Sequence, residues 1–304
     1  MDETCSQDVS RWELARGEGA YPAALEDMEH PPKVIYGRGD PEALSTMCLS
    51  IIGARRATPY GIAVASMAAR IAAESGITVV SGGAMGCDAA AARGALDAGG
   101  KTVVVSGVGA DGVYPSSSRD VFDRAVRQGG AVISMVPWGS PVQRWAFPQR
   151  NGLIAALSAA VVVSEASARS GTASTATAAF GLGREVYAVP GSIFSPESQG
   201  ANALIRDGAH IITCEADLEM LISRDYGVLR MIQEDLPTPR GRVLSALVAS
   251  PMRADDLAAH LGEEPLTMLR ILAEYEVHGV VQRLPDGRYA PTRETLLGHG
   301  RMGS

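Results

Sequence analysis

Apolar and polar positions along this chain follow two alternating periods. Between Val34 and Ile222, short apolar runs rich in β-branched residues recur, most of them closing on glycine or serine. The runs Leu49–Gly53, Thr78–Ser81, Thr102–Ser106, Ala131–Met135, Ala160–Ser164, Val186–Val189 and His210–Thr213 predict strands. Between them, Gly61–Ser75, Ala89–Ala98, Ser118–Gln128, Asn151–Leu157 and Thr172–Leu182 carry amphipathic or alanine-rich patterns that predict helices. Strands alternating with such helices predict a doubly wound, mostly parallel α/β sheet. A second pattern begins after the proline-containing stretch Glu234–Pro239. Helices over Gly241–Ala249, Ala254–Leu261 and Pro265–His278 precede two short strand-like runs joined by Pro285-Asp286-Gly287, a hairpin turn. Three helices and a hairpin make a small winged helix-turn-helix. The division expected is therefore an acidic lead-in over residues 1–32 with one short helix within Tyr21–Met28, a sheet domain over 33–222, a linker over 223–239, a winged helix over 240–293 and a tail over 294–304.

Composition narrows the class. A chain of 304 residues with 46% hydrophobic content has room for one large α/β domain and a smaller one. No apolar run approaches the roughly 20 residues of a membrane span, and the polar, acidic start lacks the layout of a signal peptide. Cys5, Cys48, Cys87 and Cys214 are widely separated, which argues for reduced thiols rather than a disulfide or metal framework, and for a cytoplasmic protein. The net charge of −7 is unpromising for a partner of nucleic acid, but the lead-in alone accounts for −6 of it. Residues 33–222 hold fifteen basic and fifteen acidic side chains, so a local basic patch is open to them.

Candidate chemistry collects in the loops that follow the strands. Val79-Val80-Ser81-Gly82-Gly83-Ala84-Met85-Gly86-Cys87-Asp88 reads as strand, glycine-rich turn and helix, an arrangement that offers bare backbone N–H groups to an anion. It is neither a G-x-G-x-x-G nor a Walker A loop. Asp88 in the first helical turn suits the helix dipole, a ligand or loop bracing alike. Cys87 reads as a small packing residue. The first predicted strand ends Gly53-Ala54-Arg55-Arg56, which puts Arg55 either at the carboxyl edge of the sheet, where open α/β folds bind ligands, or in a solvated loop. Arg144-Trp145-Ala146-Phe147-Pro148-Gln149-Arg150-Asn151 interleaves cations with aromatics, as single-stranded nucleic acid favours, although Trp145 and Phe147 also fit a core beside a turn. Ser170-Gly171-Thr172 at a helix start can cap the helix or hold phosphate. The five histidines include only His210 within residues 33–222, at a strand start, and no Ser-His-Asp order, metal-ligand cluster or carboxylate pair stands out. No cofactor is expected.

Several of these motifs recur in order in one family. Gly53–Gly61, Val80–Asp88, Val113-Tyr114-Pro115, Phe147–Asn151, Ser170-Gly171, Gly183–Gly191 and Gly200–Ala209 resemble the DNA-processing proteins called DprA or Smf over about residues 21–222. The resemblance implies an extended Rossmann-like fold that binds single-stranded DNA, protects incoming DNA in natural transformation and loads the RecA recombinase, typically as a homodimer. It also implies a C-terminal winged helix. DNA contact is then expected at Arg55, at Ser81, Gly82 and Gly83, at Arg150 with Asn151, at Ser170 and Gly171, and at Asn202, with Arg144 and Phe147 as neighbours. Four positions depart from the family pattern: Met85 in place of Arg, Ala92 of His, Ser118 of Asn and Gly152 of Arg. The helical N-terminal domain of many relatives is also expected to be absent, apart from a Tyr21–Asp40 lead-in. With two cations fewer, the glycine loop is expected to bind mainly through backbone N–H groups.

The leading expectation is thus a non-enzymatic binder of single-stranded DNA. The alternative is a Rossmann-like nucleotide phosphoribohydrolase. That enzyme needs a Pro-Gly-Gly-x-Gly-Thr-x-x-Glu motif, where this chain has Ser170-Gly171-Thr172-Ala173-Ser174-Thr175 with no following Glu through Leu182. A pure interaction scaffold is a third reading. The third winged-helix helix carries Glu263, Glu264, Glu274 and Glu276 against Arg270, which favours contact with protein or a duplex end over reading a DNA groove.

Overall fold

The computed structural model describes residues 10–143, 145–168, 170–230, 239–292 and 295. Arg144, Cys5, residues 231–238 of the predicted linker and most of the predicted tail lie outside the described residues. The chain forms two compact units, one on either side of the linker.

The first unit is built on strands β1 (Arg11–Ala15), β2 (Val34–Gly39), β3 (Cys48–Ile52), β4 (Thr78–Ser81), β5 (Thr102–Val105), β6 (Ala131–Ser134), β7 (Ala160–Val163), β8 (Glu185–Ala188) and β9 (His210–Ile211). They make one sheet in the order β1-β2-β6-β5-β4-β3-β7-β8-β9, antiparallel at β1–β2 and β2–β6 and parallel elsewhere. Helices α1 (Pro59–Glu74), α2 (Cys87–Asp97), α3 (Arg119–Arg127) and α7 (Glu215–Tyr226) cover one face, and α4 (Ala146–Ala156), α5 (Thr172–Gly181) and α6 (Gln199–Arg206) cover the other. Every residue of β3, β4, β5, β6 and β7 is buried, because each strand has helices on both sides. That is why these strands read as unbroken apolar runs.

Strand order reverses at β3. From it the sheet grows one way through β4, β5 and β6, and the other way through β7, β8 and β9. The loops after β3 and β7 therefore diverge and leave a crevice at the carboxyl edge, the place where open α/β sheets bind ligands.

Two expected boundaries shift. β1 joins the sheet within the acidic lead-in, and its register places Trp12 opposite Gly37, whose missing side chain gives the indole its room. Trp12 also donates its indole N–H to the Gly39 carbonyl at 2.8 Å. The short helix expected within Tyr21–Met28 is present as the 3-10 helix Ala23–Asp27. At the other end, α7 carries the unit past residue 222. Its start is pinned by Asp217, whose carboxylate accepts the Thr213 N–H at 2.6 Å, and its end by the Tyr226 hydroxyl, donated to the Cys48 carbonyl at 2.7 Å.

The second unit contains α8 (Pro239–Ala249), α9 (Ala254–Leu261), α10 (Pro265–Val277) and the hairpin β10 (Val281–Arg283) with β11 (Tyr289–Pro291). Val243, Leu247, Leu257, Met268, Leu272, Val281 and Tyr289 form its core. Gly287, at φ +82°, allows the hairpin turn predicted at Pro285-Asp286-Gly287. Among the described residues, no helix is long and apolar enough to cross a membrane.

Candidate functional site

The crevice at the strand-order reversal is a cavity of about 580 Å³. One wall is the loop after β3, with Gly53, Ala54, Arg55 and Arg56. The opposite wall is the turn into α5, with Ser167, Ser170, Gly171 and Thr172. Asp88, Arg150, Asn151 and Glu197 also line it.

Arg55 and Arg56 are exposed cations at the cavity. The Arg55 guanidinium lies 5.7 Å from the centre of the Phe147 ring, close enough for cation–π attraction. Phe147 in turn meets Tyr114 with ring centres 5.6 Å apart, and it lies over Gly107, where a side chain would collide with it. The helix expected from Asn151 starts earlier, at Ala146, so it presents Phe147, Arg150 and Asn151 from one rigid element. Pro148 is accommodated in its first turn, where the missing N–H has no helical partner to lose.

The loop that carries Arg55 and Arg56 is held from beneath by Glu165. This side chain is buried, and its carboxylate accepts both the Thr58 N–H at 2.8 Å and the Thr58 hydroxyl at 2.6 Å. Thr58 in turn caps α1, its hydroxyl accepting the Gly61 N–H at 3.3 Å. The Ala54 N–H reaches the Glu165 carbonyl at 2.8 Å. Sequence reasoning passed over Glu165. Its signal was a carboxylate one serine beyond a fully apolar strand, a place where burial demands partners.

Arg150 is not a surface cation. It is only 5% exposed, and it donates to the Gly82 carbonyl at 2.5 Å and the Val105 carbonyl at 3.1 Å. Burial lowers its pKa against the pull of Asp88, yet a guanidinium stays charged at any physiological pH. Asp88 is buried beside it and accepts the Gly53 N–H at 3.4 Å and the Ala84 N–H. Its carboxyl is raised above the ordinary range by desolvation, opposed by Arg150. Of the roles open to Asp88, loop bracing is the one its bonds serve.

The glycine-rich loop differs most from expectation. Ser81, Gly82 and Gly83 are buried and do not line the cavity. Ser81 donates its hydroxyl to the Ile51 carbonyl at 2.7 Å. A side chain at Gly82 would strike the Arg150 guanidinium, and one at Gly83, φ +64°, would strike Val104 and Phe122. The glycines are there for close packing, and the loop meets the cavity through Ala84 and Asp88. Cys87 is fully buried, its thiol pushed up to about 11 by desolvation, as a packing residue should be.

On the opposite wall, Asn151 donates to the Ser174 hydroxyl at 2.7 Å and so ties α4 to the first turn of α5. The Ser170 hydroxyl is buried without a partner, and Gly171 is exposed. Asn202 lies outside the cavity lining. Its amide makes a two-way bond with Gly191, accepting at 3.1 Å and donating at 3.0 Å, and thereby fixes the loop after β8. Met85 is exposed, Ala92 and Ser118 are buried, and Gly152 is half-buried beside Met28. Among the described residues no group of three His, Cys, Asp or Glu side chains could hold a metal.

A doubly wound sheet with a ligand crevice at its reversal point, followed by three helices and a hairpin, defines a Rossmann-like protein with a winged helix. Comparison with known proteins places it more closely. Residues 13–223 match the family of DNA recombination-mediator protein A, and residues 230–287 match the DprA winged helix domain. A putative DNA processing protein DprA of Mycobacterium tuberculosis is 37% identical over 274 residues, covering 86% of this chain and 69% of the relative. The protein Smf of Escherichia coli is 31% identical over 278 residues, covering 88% and 74%. The structure of DprA from Streptococcus pneumoniae aligns with TM-score 0.64 and 32% identity, over 70% of this chain and 74% of that one. DprA from Helicobacter pylori, whose structure addresses its single-stranded DNA binding mode, aligns with TM-score 0.64 and 30% identity, over 72% and 98%. The chain belongs to the DprA (Smf) family of DNA-processing proteins.

Proposed function

We propose that this protein binds single-stranded DNA at the switch-point cavity, protects the incoming strand and passes it to a RecA recombinase, acting as a cytoplasmic homodimer. One observation carries the DNA reading: the exposed Arg55 fork lies over the Phe147 ring at a cavity whose far wall is the N-terminus of a helix. A guanidinium and helix N–H groups suit phosphate, and a ring suits any base, so the pairing favours a strand without regard to sequence. The Helicobacter pylori relative supports this reading. RecA delivery and dimerisation rest on the family resemblance. The carboxylates in the cavity suit a binder better than a hydrolase: Asp88 is occupied by two backbone N–H groups, and Glu197 accepts the Ser195 hydroxyl at 2.9 Å.

The contact set is narrower than the family motifs imply. Arg55, Phe147, Ser170, Gly171 and Asn151 face or adjoin the cavity, with Arg56 added to them. Ser81, Gly82, Gly83 and Asn202 stand outside its lining, and Arg150, which lines it, is spent on the Gly82 and Val105 carbonyls. For the winged helix we propose a protein contact. Leu266 is 71% exposed and Leu269 44% exposed, three positions apart on α10 between Glu263-Glu264 and the helix's one cation, Arg270, a mainly apolar surface that is poor chemistry for a phosphate backbone. The test is fluorescence anisotropy with a labelled single-stranded oligonucleotide. The parent should bind at low salt and Phe147→Ala should bind more weakly by roughly 1–3 kcal/mol, the worth of one stacked base. Release of free base from nucleoside monophosphates would instead support the hydrolase.

A further inference from the structure

Three arginines meet on the antiparallel edge of the sheet, away from the cavity. Arg11 on β1 and Arg38 on β2 are directly opposite each other in the strand register. Like charges in that position repel and weaken a strand pair. Arg119 stands at the start of α3, which packs against β2. It is close enough that, with Arg11, it pushes the Arg38 pKa down, added to the effect of burial. The Nε and Nη2 atoms of Arg38 are buried without a hydrogen-bond partner. Among the described residues, none of the three arginines makes an ion pair.

The neighbouring acids balance this charge without engaging it. Asp123 and Asp111 act on Arg38 only at a distance. The Asp111 carboxylate accepts the Gly139 N–H at 3.1 Å, and Glu13 accepts the Trp138 indole N–H at 2.8 Å. Trp138 carries the Arg11 guanidinium 5.3 Å from its ring centre and meets Tyr36 edge-on at 5.7 Å. Arg38 is thus held by packing beside two exposed cations, Arg11 and Arg119, with two of its own guanidinium nitrogens unpaired. A site that bears such repulsion in the free protein recovers it when an anion arrives.

We infer that Arg11, Arg38 and Arg119 form a second contact site for the phosphodiester backbone of a DNA strand as it leaves the cavity. The inference rests on the cavity being a site for single-stranded DNA. A strand is favoured over a lone anion because a run of contacts leads from the cavity to the three arginines. Phe147 beside the cavity packs on Gly107 and Tyr114, the same loop holds Asp111 on Gly139, and the adjacent Trp138 carries Arg11.

The experiment compares oligothymidylates of about 6 and about 20 nucleotides, within and beyond the usual span of one binding site, by anisotropy with the full chain. Arg119→Glu and Arg11→Glu should weaken the longer oligonucleotide roughly 5- to 10-fold, and flatten its log K against log salt slope by about 0.7 for each lost phosphate contact. The shorter oligonucleotide should bind them as it binds the parent. Arg119→Gln removes the charge with little change in size, and serves should a charge reversal disturb folding. Variants that bind both lengths like the parent, or lose both equally, overturn the second site. Failure of the parent to bind either length overturns the cavity reading instead.

Discussion

At the residue scale, the site separates cations that touch solvent from a cation that builds the floor. Arg55 is exposed, so Arg55→Ala should leave stability within about 0.5 kcal/mol of the parent in urea unfolding. Arg150→Ala should cost about 3–5 kcal/mol, because it strands the Gly82 and Val105 carbonyls and the buried Asp88 carboxylate. Both arginines stand in family motifs, and nothing in the motifs separates the roles; burial does. Asp88 also gives a pH signature. Its folded pKa is raised above the unfolded value, so folding gains stability as pH falls through the folded pKa, and the gain is complete below the unfolded value. Asp120, whose carboxyl is lowered by its bond to Arg93, works in the opposite sense. NMR titration should find the Asp88 midpoint above the ordinary carboxylate range, and a midpoint below it would contradict this account. Glu197 places a negative charge in the cavity, so Glu197→Gln should tighten DNA binding about 2- to 5-fold at low salt.

At the element scale, what decides the site is how its loops are tied together. Glu165, two residues past the end of β7, holds the loop after β3 through Thr58, across the strand-order reversal. Glu165→Ala should lower stability by about 1–3 kcal/mol, measured by urea unfolding, and should weaken DNA binding although Glu165 is buried away from any ligand. The central strands were legible because burial on both faces writes a continuous apolar run, and β4 and α9 match their predicted bounds. β1 was not, because its five residues alternate weakly within an acidic stretch and only Leu14 is buried. The true start of α4 was hidden by Pro148, and the tasks of Gly82 and Gly83 by a rule that reads glycine as ligand-facing. Which face of a glycine is crowded depends on residues far off in sequence, here Arg150, Val104 and Phe122.

At the scale of the whole molecule, the protein combines a sheet unit that carries the switch-point cavity, the DNA site proposed above, with a winged helix whose third helix holds Arg270 as its one cation. Replacing both Leu266 and Leu269 by Glu should leave DNA anisotropy unchanged and reduce strand transfer to RecA, and an unchanged transfer rate would set the partner surface elsewhere. The division into two units was legible from the proline-containing linker and the change of period, whereas the cavity needed the strand order, which no single segment reveals. The central claim is that Arg55 and its neighbours grip a single strand through phosphate at the strand-order reversal. Its most direct test is the salt dependence of single-stranded oligonucleotide binding, measured by anisotropy for the parent and Arg55→Ala. The account predicts that parent affinity falls steeply with salt, and that the variant binds about 10-fold more weakly with a slope shallower by about 0.7, as losing one phosphate contact requires. Superimposable curves for the two proteins, or no binding by the parent at low salt, would contradict it.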